Sequence, residues 1–447
     1  MINPAIFREY DIRGIADTDL SDENVYLFAR GVGTYYTAMG ESKVIVGRDV
    51  RISSPRILKT LGRGLNDSGC DVIDIGEVPT PILYFSLFHY RIGNGIMITA
   101  SHNPKEFNGF KVSYNYSTIY GNEIQNLRQI TDKGEFSTGK GTAETVDITS
   151  GYINYVTEQV AIKKGLKVAV DTGNGTCGPI MEKILKEKKL DYHILYKEPD
   201  GNFPNHLPDP TVVEYIKDLI ETVKSGDFDC GIGLDGDGDR IGVLDENGQI
   251  IWGDVLLAIY AEKLLQKTPG AKIIFEVKCS KGLIERIEAL GGIPLMYKTG
   301  HSLIKAKMKS EHAPLAGEMS GHIFFADRYY GYDDAIYASL RLLEILSEDG
   351  ALSQLAARVP KYFSTPEIRI ETTDEKKFKI VDELKKYFKK SYDVIDIDGV
   401  RVDFSNGWGL IRPSNTQPVL VLRFEAENEK RLEEIKKIFF DKLEEYK

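Results

Sequence analysis

The fold is decided by residues 43–76, KVIVGRDVRISSPRILKTLGRGLNDSGCDVIDIG. The stretch opens on a β-branched run, turns through a polar loop, continues with apolar residues at helical spacing and ends on a second apolar run. This order predicts a strand–helix–strand unit of about 30 residues, whose two strands pair in parallel through a right-handed crossover.

The same pattern recurs twice along the chain. Residues 166–196 read LKVAVDTGNGTCGPIMEKILKEKKLDYHILY, and residues 271–298 read AKIIFEVKCSKGLIERIEALGGIPLMYK. Each unit again runs from a short strand through a polar loop and an amphipathic helix to a second strand. The repetition predicts three related α/β domains.

The C-terminal segment has a different pattern. Residues 374–390 and 428–446 have the periodicity of amphipathic helices, and three strand-like segments lie between them. Helix, antiparallel strands and helix form an α+β arrangement. We therefore predict an α/β fold of three mixed α/β/α domains and an α+β C-terminal domain, with domains at 1–149, 150–250, 251–364 and 365–447.

The composition is that of an ordinary globular protein. The 447 residues are 42% hydrophobic and 28% charged, and no apolar run has the length of a signal peptide or a membrane span. A net charge of −10 argues against nucleic acid or an anionic membrane as the main partner. Four scattered cysteines without a CxxC pair predict buried thiols. A cytoplasmic location is the default expectation, and the oligomeric state is left open.

The segment TASHNP, residues 99–104, places a serine in a polar loop after an apolar strand. Ser101 is a candidate nucleophile or phosphate carrier, and Lys111 follows ten residues later in NGFK. His102 is adjacent to the serine, a position from which we expect it to be a poor base for that serine. The partners of Ser101 are therefore expected elsewhere in the chain.

Three aspartates alternate with glycine in LDGDGDR, residues 234–240. Asp235, Asp237 and Asp239 repel one another unless a cation neutralises them, and oxygen ligands select a hard divalent ion. The pattern disfavours an EF-hand, because its sixth position requires glycine and Arg240 stands there, between flanks that resemble strands. Arg240 is expected to pair with a carboxylate or to bind a ligand phosphate.

Further polar clusters follow the predicted strands. KTGHS contains His301, and GEMSGH contains residues that would lie on one face of an extended segment and suit sugar hydroxyls, namely Glu318, Ser320 and His322. RPSNTQP offers a phosphate clamp from Arg412, Ser414, Asn415 and Thr416. FREYDIRG near the start adds Tyr10 and Arg13, of which the arginine is a candidate contact to the same anion.

One cluster from each domain predicts a single central cleft. A serine beside a hard metal, with a phosphate clamp opposite, indicates phosphoryl transfer through a phosphoserine. The proton of the attacking hydroxyl would pass to Lys111 or His102, and Arg240 would offset charge on the moving group.

The motifs TASHNP, NGFK, DGDGDR, GEMSGH and RPSNTQP occur in the order and spacing of the α-D-phosphohexomutase family, which the chain resembles over essentially its whole length. The resemblance implies that a phosphorylated Ser101 donates to a hexose 1- or 6-phosphate, and that the bound hexose 1,6-bisphosphate reorients and returns its other phosphate. It implies Mg²⁺ held by the three aspartates and a phosphate oxygen on Ser101.

The resemblance also implies individual roles. Lys111 is similar to the general base of the family, Arg13 to its helper near the transferred phosphate, and Glu318 and Ser320 to the pair that holds the 3- and 4-hydroxyls. The remaining residues implied at the site are His102 and Lys278 along its wall, His301 at the sugar, and the clamp Arg412, Ser414, Asn415 and Thr416.

GEMSGH resembles the phosphomannomutase/phosphoglucomutase branch, so mannose and glucose phosphates are the expected substrates. Pro413 and Gln417 depart from the smaller residues common in the clamp and leave the preference between sugars open. Three alternatives remain: a phosphoglucosamine mutase, a phosphatase that uses a phosphoserine, and a sugar-phosphate-binding protein with an inactive site.

Overall fold

The computed structural model describes residues 2–414 and 418–446. Four sheets follow one another along the chain, and each of them belongs to one domain, numbered I to IV. The three related α/β domains and the differing C-terminal domain are confirmed. In the described part of the chain, no helix is both long enough and apolar enough to cross a membrane.

Domain I contains the first sheet, in which the strands lie in the order β1-β5-β4-β2-β3-β7 and β6 pairs with β5. The predicted unit is present, because β2 and β3 are parallel and α2 connects them. The strands are β1 (Ile12–Ile15), β2 (Lys43–Arg48), β3 (Asp71–Glu77), β4 (Gly95–Ile98), β5 (Phe107–Tyr114), β6 (Ser117–Thr118) and β7 (Ala143–Thr145). The helices are α1 (Asp22–Ala38), α2 (Ser54–Asp67), α3 (Thr80–Tyr90) and α4 (Asn122–Lys133).

Domain II has the strand order β12-β11-β10-β8-β9, and its parallel pair β8 and β9 is the second predicted unit. The strands are β8 (Lys167–Asp171), β9 (Asp191–Leu195), β10 (Cys230–Leu234), β11 (Ile241–Leu244) and β12 (Ile250–Ile251). The helices are α5 (Thr149–Glu158), α6 (Gly178–Glu187) and α7 (Lys217–Ser225). The predicted hairpin at DENGQ joins the antiparallel strands β11 and β12.

Domain III has the order β14-β13-β15-β16, with the third parallel unit at β13 and β14. The strands are β13 (Lys272–Glu276), β14 (Ile293–Tyr297), β15 (Leu315–Gly317) and β16 (Ile323–Phe325). The helices are α8 (Gly253–Leu265), α9 (Lys281–Ala289), α10 (His301–Glu311), α11 (Ala335–Asp349) and α12 (Leu352–Ala356).

Domain IV has the order β17-β22-β21-β20-β19, and β18 also pairs with β22. The strands are β17 (Phe363–Ser364), β18 (Ile368–Glu371), β19 (Asp393–Ile395), β20 (Val400–Asp403), β21 (Gly407–Pro413) and β22 (Val419–Ala426), and the helices are α13 (Asp374–Phe388) and α14 (Glu429–Glu444). Strands β17 and β18 precede the first helix and were not expected, because they are short and gain their stability from pairing with β22.

The cores show how the domains are joined. One continuous set of buried apolar side chains runs from α3 of domain I through the sheets of domains II and III. Domain IV has a separate core between its sheet and its two helices. All four cysteines are buried free thiols, as expected. The first three domains therefore share a core, and domain I has a second core of its own. The fourth domain packs as a separate unit.

Candidate active site

The serine loop connects β4 to β5, which lie antiparallel with Met97 opposite Lys111. Ser101 is buried and has a left-handed backbone, with a φ of 51°. Its Oγ donates to Asp235 Oδ2 of domain II at 2.7 Å and lies 3.0 Å from His102 Nδ1. The expectation that His102 is poorly placed to reach its neighbour is therefore wrong, because the left-handed turn brings the two side chains together.

The aspartate loop lies between the antiparallel strands β10 and β11, and its three carboxylates are fully buried. One oxygen from each of Asp235, Asp237 and Asp239 can be chosen so that all lie within 4.8 Å of one another. The backbone amides of Asp239 and Arg240 each donate to Asp235 Oδ1 at 3.0 Å. The loop therefore folds around its own first carboxylate and presents the other two beside it.

Lys111 and Thr80 bring domain I to the same carboxylates. Lys111 Nζ donates to Asp237 Oδ2 at 2.7 Å and also to Asp239 Oδ2. Thr80, the first residue of α3, donates its hydroxyl to Asp237 Oδ2 at 2.6 Å. Sequence reasoning missed Thr80, because VPTP has only the pattern of a helix start.

Opposing effects set the charges of this cluster. Burial, together with Asp239 and Asp237, raises the pKa of Asp235 well above its ordinary value. Burial also opposes ionisation of Asp239, but Lys111 and His322 hold the pKa of that carboxyl below its usual range. Burial lowers the pKa of Lys111, but the facing carboxylates Asp237 and Asp239 outweigh it and raise that pKa well above the ordinary value.

The carboxylates fit a hard divalent cation. Asp237 Oδ1 and Asp239 Oδ1 are buried and accept no hydrogen bond from any residue that the structure describes. A buried carboxylate oxygen without a donor is costly unless a cation takes the place of the donor. These two oxygens, together with the neighbouring carboxylate of Asp235, form an all-oxygen ligand set that matches the preference of Mg²⁺, Mn²⁺ or Ca²⁺.

Arg240 extends from the aspartate loop towards domain III. Its Nε lies 3.0 Å from His322 Nε2. Asp333, which precedes α11, lies 3.0 Å from His322 Nδ1, 3.3 Å from His301 Nδ1 and 2.9 Å from Lys305 Nζ. Sequence reasoning missed Asp333, although it stands in a pair of aspartates just before a helix.

His102 is surrounded by positive charge. Burial, followed by Arg240 and Arg13, holds its pKa well below the ordinary value, so the imidazole is neutral at pH 7. The carboxylate of Asp209 lies 4.0 Å from His102 Nε2. Asp209 was also missed, because LPDPT reads as a proline-flanked turn.

The two residues predicted near the N-terminus lie on different sides of the site. Arg13 on β1 donates to Asn103 Oδ1 of the serine loop at 2.6 Å and pairs with Asp11. It therefore contacts the serine loop, the side implied by the family resemblance. The hydroxyl of Tyr10 donates to the carbonyl of Thr299 in domain III at 2.7 Å.

The expectation that Glu318, Ser320 and His322 alternate along an extended segment is wrong. These residues form the tight turn between β15 and β16, where Gly321 has a φ of 88° and its amide donates to the carbonyl of Glu318. The left-handed conformation of Gly321 reverses the chain, so the three side chains do not follow the two-residue period of a strand. Glu318 and His322 are buried and Ser320 is half-buried.

Glu318 and Lys278 belong to one polar network in domain III. Glu318 Oε1 accepts from the amide of Gly300 at 2.5 Å, and burial raises the pKa of Glu318. Lys278 Nζ donates to Glu367 at 3.2 Å. The fully buried Glu276 accepts from the amide of Lys278 at 2.7 Å and from the hydroxyl of Thr299 at 3.0 Å.

Domain IV contains the residues that the sequence predicts as a phosphate clamp. Arg412 at the end of β21 donates from Nε to Asp398 Oδ2 at 2.9 Å, and the same oxygen accepts from the amide of Thr299 at 3.0 Å. Ser414 follows the strand and is buried. The predicted residues Asn415 and Thr416 lie outside the described residues.

The arrangement unites all four domains. It joins a buried serine to a carboxylate cluster that fits a divalent cation, and it brings basic residues around both. Domain III and domain IV meet at Asp398, which accepts hydrogen bonds from the amide of Thr299 and from Arg412. Such a site can position and neutralise an anionic group that moves between oxygen atoms.

Four family models match the chain in order. They describe the α/β/α domains I, II and III of phosphoglucomutase/phosphomannomutase, at residues 4–138, 150–248 and 252–362, and the C-terminal domain, at residues 367–442. Together they cover most of the chain.

Individual relatives agree with the family models. A phosphomannomutase/phosphoglucomutase of Pseudomonas aeruginosa is 47% identical over 441 residues, covering 98% of this chain and 95% of the relative. A phosphoglucomutase of Neisseria gonorrhoeae is 42% identical, covering 97% and 95%. The crystal structure of a phosphoglucomutase/phosphomannomutase family protein of Burkholderia thailandensis superposes with a TM-score of 0.94 at 40% identity, covering 100% of this chain and 98% of the other.

Proposed function

Since the chain belongs to the phosphoglucomutase/phosphomannomutase family, we propose that it interconverts hexose 1-phosphates and hexose 6-phosphates through a phosphorylated Ser101. Mannose and glucose phosphates are the proposed substrates. The observation that carries the proposal is the 2.7 Å contact between Ser101 Oγ and Asp235, which joins the serine of domain I to the carboxylates of domain II. A cytoplasmic location remains a prediction from the composition.

We propose Mg²⁺ as the cation, held by Asp235, Asp237, Asp239 and a phosphate oxygen on Ser101. The buried carboxylate oxygens without a donor support this assignment. When bound, Mg²⁺ neutralises negative charge and polarises the phosphoryl group. Arg240 and Arg13 add positive charge on the other sides of Ser101.

In the first half-reaction, a hydroxyl of the bound hexose monophosphate attacks the phosphorus on Ser101. The new oxygen–phosphorus bond forms as the bond to Ser101 Oγ breaks, and the hydroxyl proton is transferred to replace the phosphoryl group on Oγ. Neutral His102, 3.0 Å from Oγ, is in the form that accepts this proton. Lys111 is the other residue proposed to take part in this proton transfer. Burial lowers its pKa, but Asp237 and Asp239 outweigh burial and raise it, so Lys111 is protonated here and can donate a proton to Oγ, but it cannot accept the hydroxyl proton.

The product of this step is hexose 1,6-bisphosphate, the proposed intermediate and activator. It turns within the cleft, and its other phosphate returns to Ser101 in the reverse chemistry. Glu318 and Ser320 would hold the sugar hydroxyls, with His301, His322, Lys278 and Tyr10 around them. The non-transferring phosphate would bind at Arg412 and Ser414, and Asn415 and Thr416 remain predicted members of this clamp.

The intact mass of the purified protein tests the proposal. We expect one phosphoryl group on a fraction of native chains, a larger fraction after incubation with hexose 1,6-bisphosphate, and none on Ser101→Ala. A native protein that stays unmodified after this incubation would refute the phosphoserine mechanism.

Activity assays with mannose, glucose and glucosamine 1-phosphates separate the proposed substrates from the main alternative. Turnover of glucosamine phosphate far above the other two would make the enzyme a phosphoglucosamine mutase. Release of inorganic phosphate at the rate of substrate loss would identify a phosphatase instead.

A further inference from the structure

We propose that Arg51 is a positioning residue that holds the serine loop in register with the aspartate loop. This inference rests on the proposed function, in which Ser101 carries the phosphoryl group. Arg51 lies in the connection between β2 and α2, fifty residues before Ser101. Among the described residues, its guanidinium forms no hydrogen bond with Asp235, Asp237 or Asp239.

The guanidinium of Arg51 is fully buried and uses all its donors. Nη2 donates to the carbonyls of Ser101 at 2.8 Å and Asn103 at 2.7 Å, and Nη1 donates to those of Pro104 at 2.7 Å and Phe107 at 2.9 Å. Nε donates to Asp49 at 3.0 Å. A guanidinium has five N–H donors, so each has an acceptor. Three of these acceptors are backbone carbonyls of the serine loop, and a fourth is the carbonyl of Phe107, the first residue of β5.

These carbonyls need an external donor because of the shape of the loop. The chain between Ile98 and Phe107 forms neither helix nor strand, and Ser101 has the left-handed φ of 51°. A serine in this conformation persists only where its surroundings hold the backbone in place. Four charge-assisted hydrogen bonds from one planar group, which lysine cannot reproduce, provide that constraint.

The position of Ser101 relative to the aspartate loop also depends on this carbonyl. A methyl group at Gly236 would lie 2.7 Å from the carbonyl oxygen of Ser101, so the two loops pack backbone against backbone. The carbonyl of Ser101 therefore accepts a hydrogen bond from Arg51 and also packs against Gly236 of the aspartate loop.

Arg51 also touches domain II directly. Its guanidinium lies 5.3 Å from the centre of the Phe203 ring. The same segment of domain II continues to Pro208, whose carbonyl accepts from the amide of Gly236 at 3.2 Å. One arginine therefore contacts the serine loop and the segment that supports the aspartate loop.

The test is Arg51→Lys, with Arg341→Lys as the matched control. Arg341 is also buried, but it pairs with Asp327 within domain III, at 2.8 Å and 2.9 Å. Two quantities are measured on the full-length protein: the hydrogen exchange of backbone amides in residues 101–107, and kcat and KM for glucose 1-phosphate with activating hexose 1,6-bisphosphate.

For Arg51→Lys we expect faster exchange in the serine loop and a kcat lower by about 100-fold, as for a small misplacement of a reacting group. KM should stay within about twofold, because the sugar and its distal phosphate bind to domains III and IV. Arg341→Lys should change neither quantity. Unchanged loop exchange and kcat in folded Arg51→Lys would overturn the proposal, as would a loss of activity equal to the loss of folded protein.

If Arg51→Lys does not fold, Asp49→Asn supplies the second variant. This variant retains a hydrogen-bond acceptor for Arg51 but removes the paired negative charge. We therefore expect faster exchange in the serine loop and a lower kcat, both by less than in Arg51→Lys. The absence of both changes would overturn the proposal. Failure of the proposed function is recognised separately, since the native protein would then carry no phosphoryl group, whereas loop exchange still reports on Arg51.

Discussion

At the scale of single residues, Asp237 concentrates several interactions on one carboxylate. Its Oδ2 accepts from Lys111 and Thr80, while its Oδ1 has no donor among the described residues. Burial and Asp239 raise the pKa of Asp237, but Lys111 and Thr80 outweigh them, and the net shift is downward. The residue is therefore ionised at pH 7 and available to a cation.

Asp237→Asn should lower kcat by at least about 100-fold, the scale of losing one preorganised electrostatic group in an active site. It should alter the thermal midpoint by only a few degrees, because Asp239 still pairs with Lys111. Mutase assays at saturating Mg²⁺ and calorimetry measure the two effects.

Asp245→Asn is the control for this substitution. Asp245 is a buried aspartate at the start of the next turn, between β11 and β12, where it accepts from the amide of Asn247 and lies outside the carboxylate cluster. Near-normal activity of Asp237→Asn would remove the metal assignment.

At the scale of elements, helix α11 follows two consecutive aspartates, Asp333 and Asp334, whose pKa values shift in opposite directions. Burial raises the pKa of Asp333, but Lys305 and His301 outweigh burial and hold it well below the ordinary value. Asp334 caps the helix through the amide of Tyr337 at 2.8 Å, and burial raises its pKa to about 6. The hydroxyl of Tyr152 on α5 donates to Asp334, so the cap also ties domain II to domain III.

This shift predicts a pH dependence of stability. Because the folded-state pKa of Asp334 lies above its unfolded value, the native state binds its proton more tightly, and this stabilisation is lost as the pH rises through about 6. Asp334→Asn cannot ionise. Between pH 5 and 7.5 the native protein should lose about 1 kcal/mol relative to this variant.

Thermal or urea unfolding of both proteins across this pH range measures the difference. Identical pH profiles would show that Asp334 does not have a raised pKa. Asp334→Ala should be less stable than Asp334→Asn at every pH, by about 1–2 kcal/mol, because the helix cap is lost.

At the scale of the whole molecule, the domains differ in how they are joined. Domains I to III are joined by one continuous core, in addition to a separate core within domain I. Domain IV has no part in the shared core that the described residues form, and it meets domain III through polar contacts and a small apolar cluster that includes Val277 and Trp408. Asp398 is central to that junction, since it binds both Arg412 and the amide of Thr299. The proposed phosphate clamp is thereby linked to the loop whose Gly300 amide donates to Glu318.

Asp398→Asn should raise KM for glucose 1-phosphate by about tenfold and change kcat by less than about threefold, because Arg412 is proposed to bind the non-transferring phosphate rather than the reacting atoms. Steady-state kinetics measure both constants. Asp396→Asn is the control, since that aspartate is exposed on the same segment and pairs only with surface lysines in the described contacts. A fall in kcat of about tenfold with no change in KM would contradict the proposed role of domain IV.

Much of the local structure follows from the sequence alone. The three parallel units can be predicted because each strand–helix–strand pattern lies in consecutive residues. The serine, the three aspartates and Arg412 stand in short motifs whose residue types indicate their chemistry. Boundaries between domains remain predictions, and β17 and β18 were missed because their stability comes from a distant strand.

Only the tertiary structure decides which motifs meet. The contact of Ser101 with Asp235 spans 134 residues, and those of Lys111 with Asp237 and Asp239 span 126 and 128. The local sequence around Thr80, Asp209, Asp333 and Asp398 does not indicate a role in the site, because their contacts are with residues distant in the sequence. Local sequence determines elements through propensity and periodicity, whereas a site built from four domains depends on packing between residues far apart in the chain.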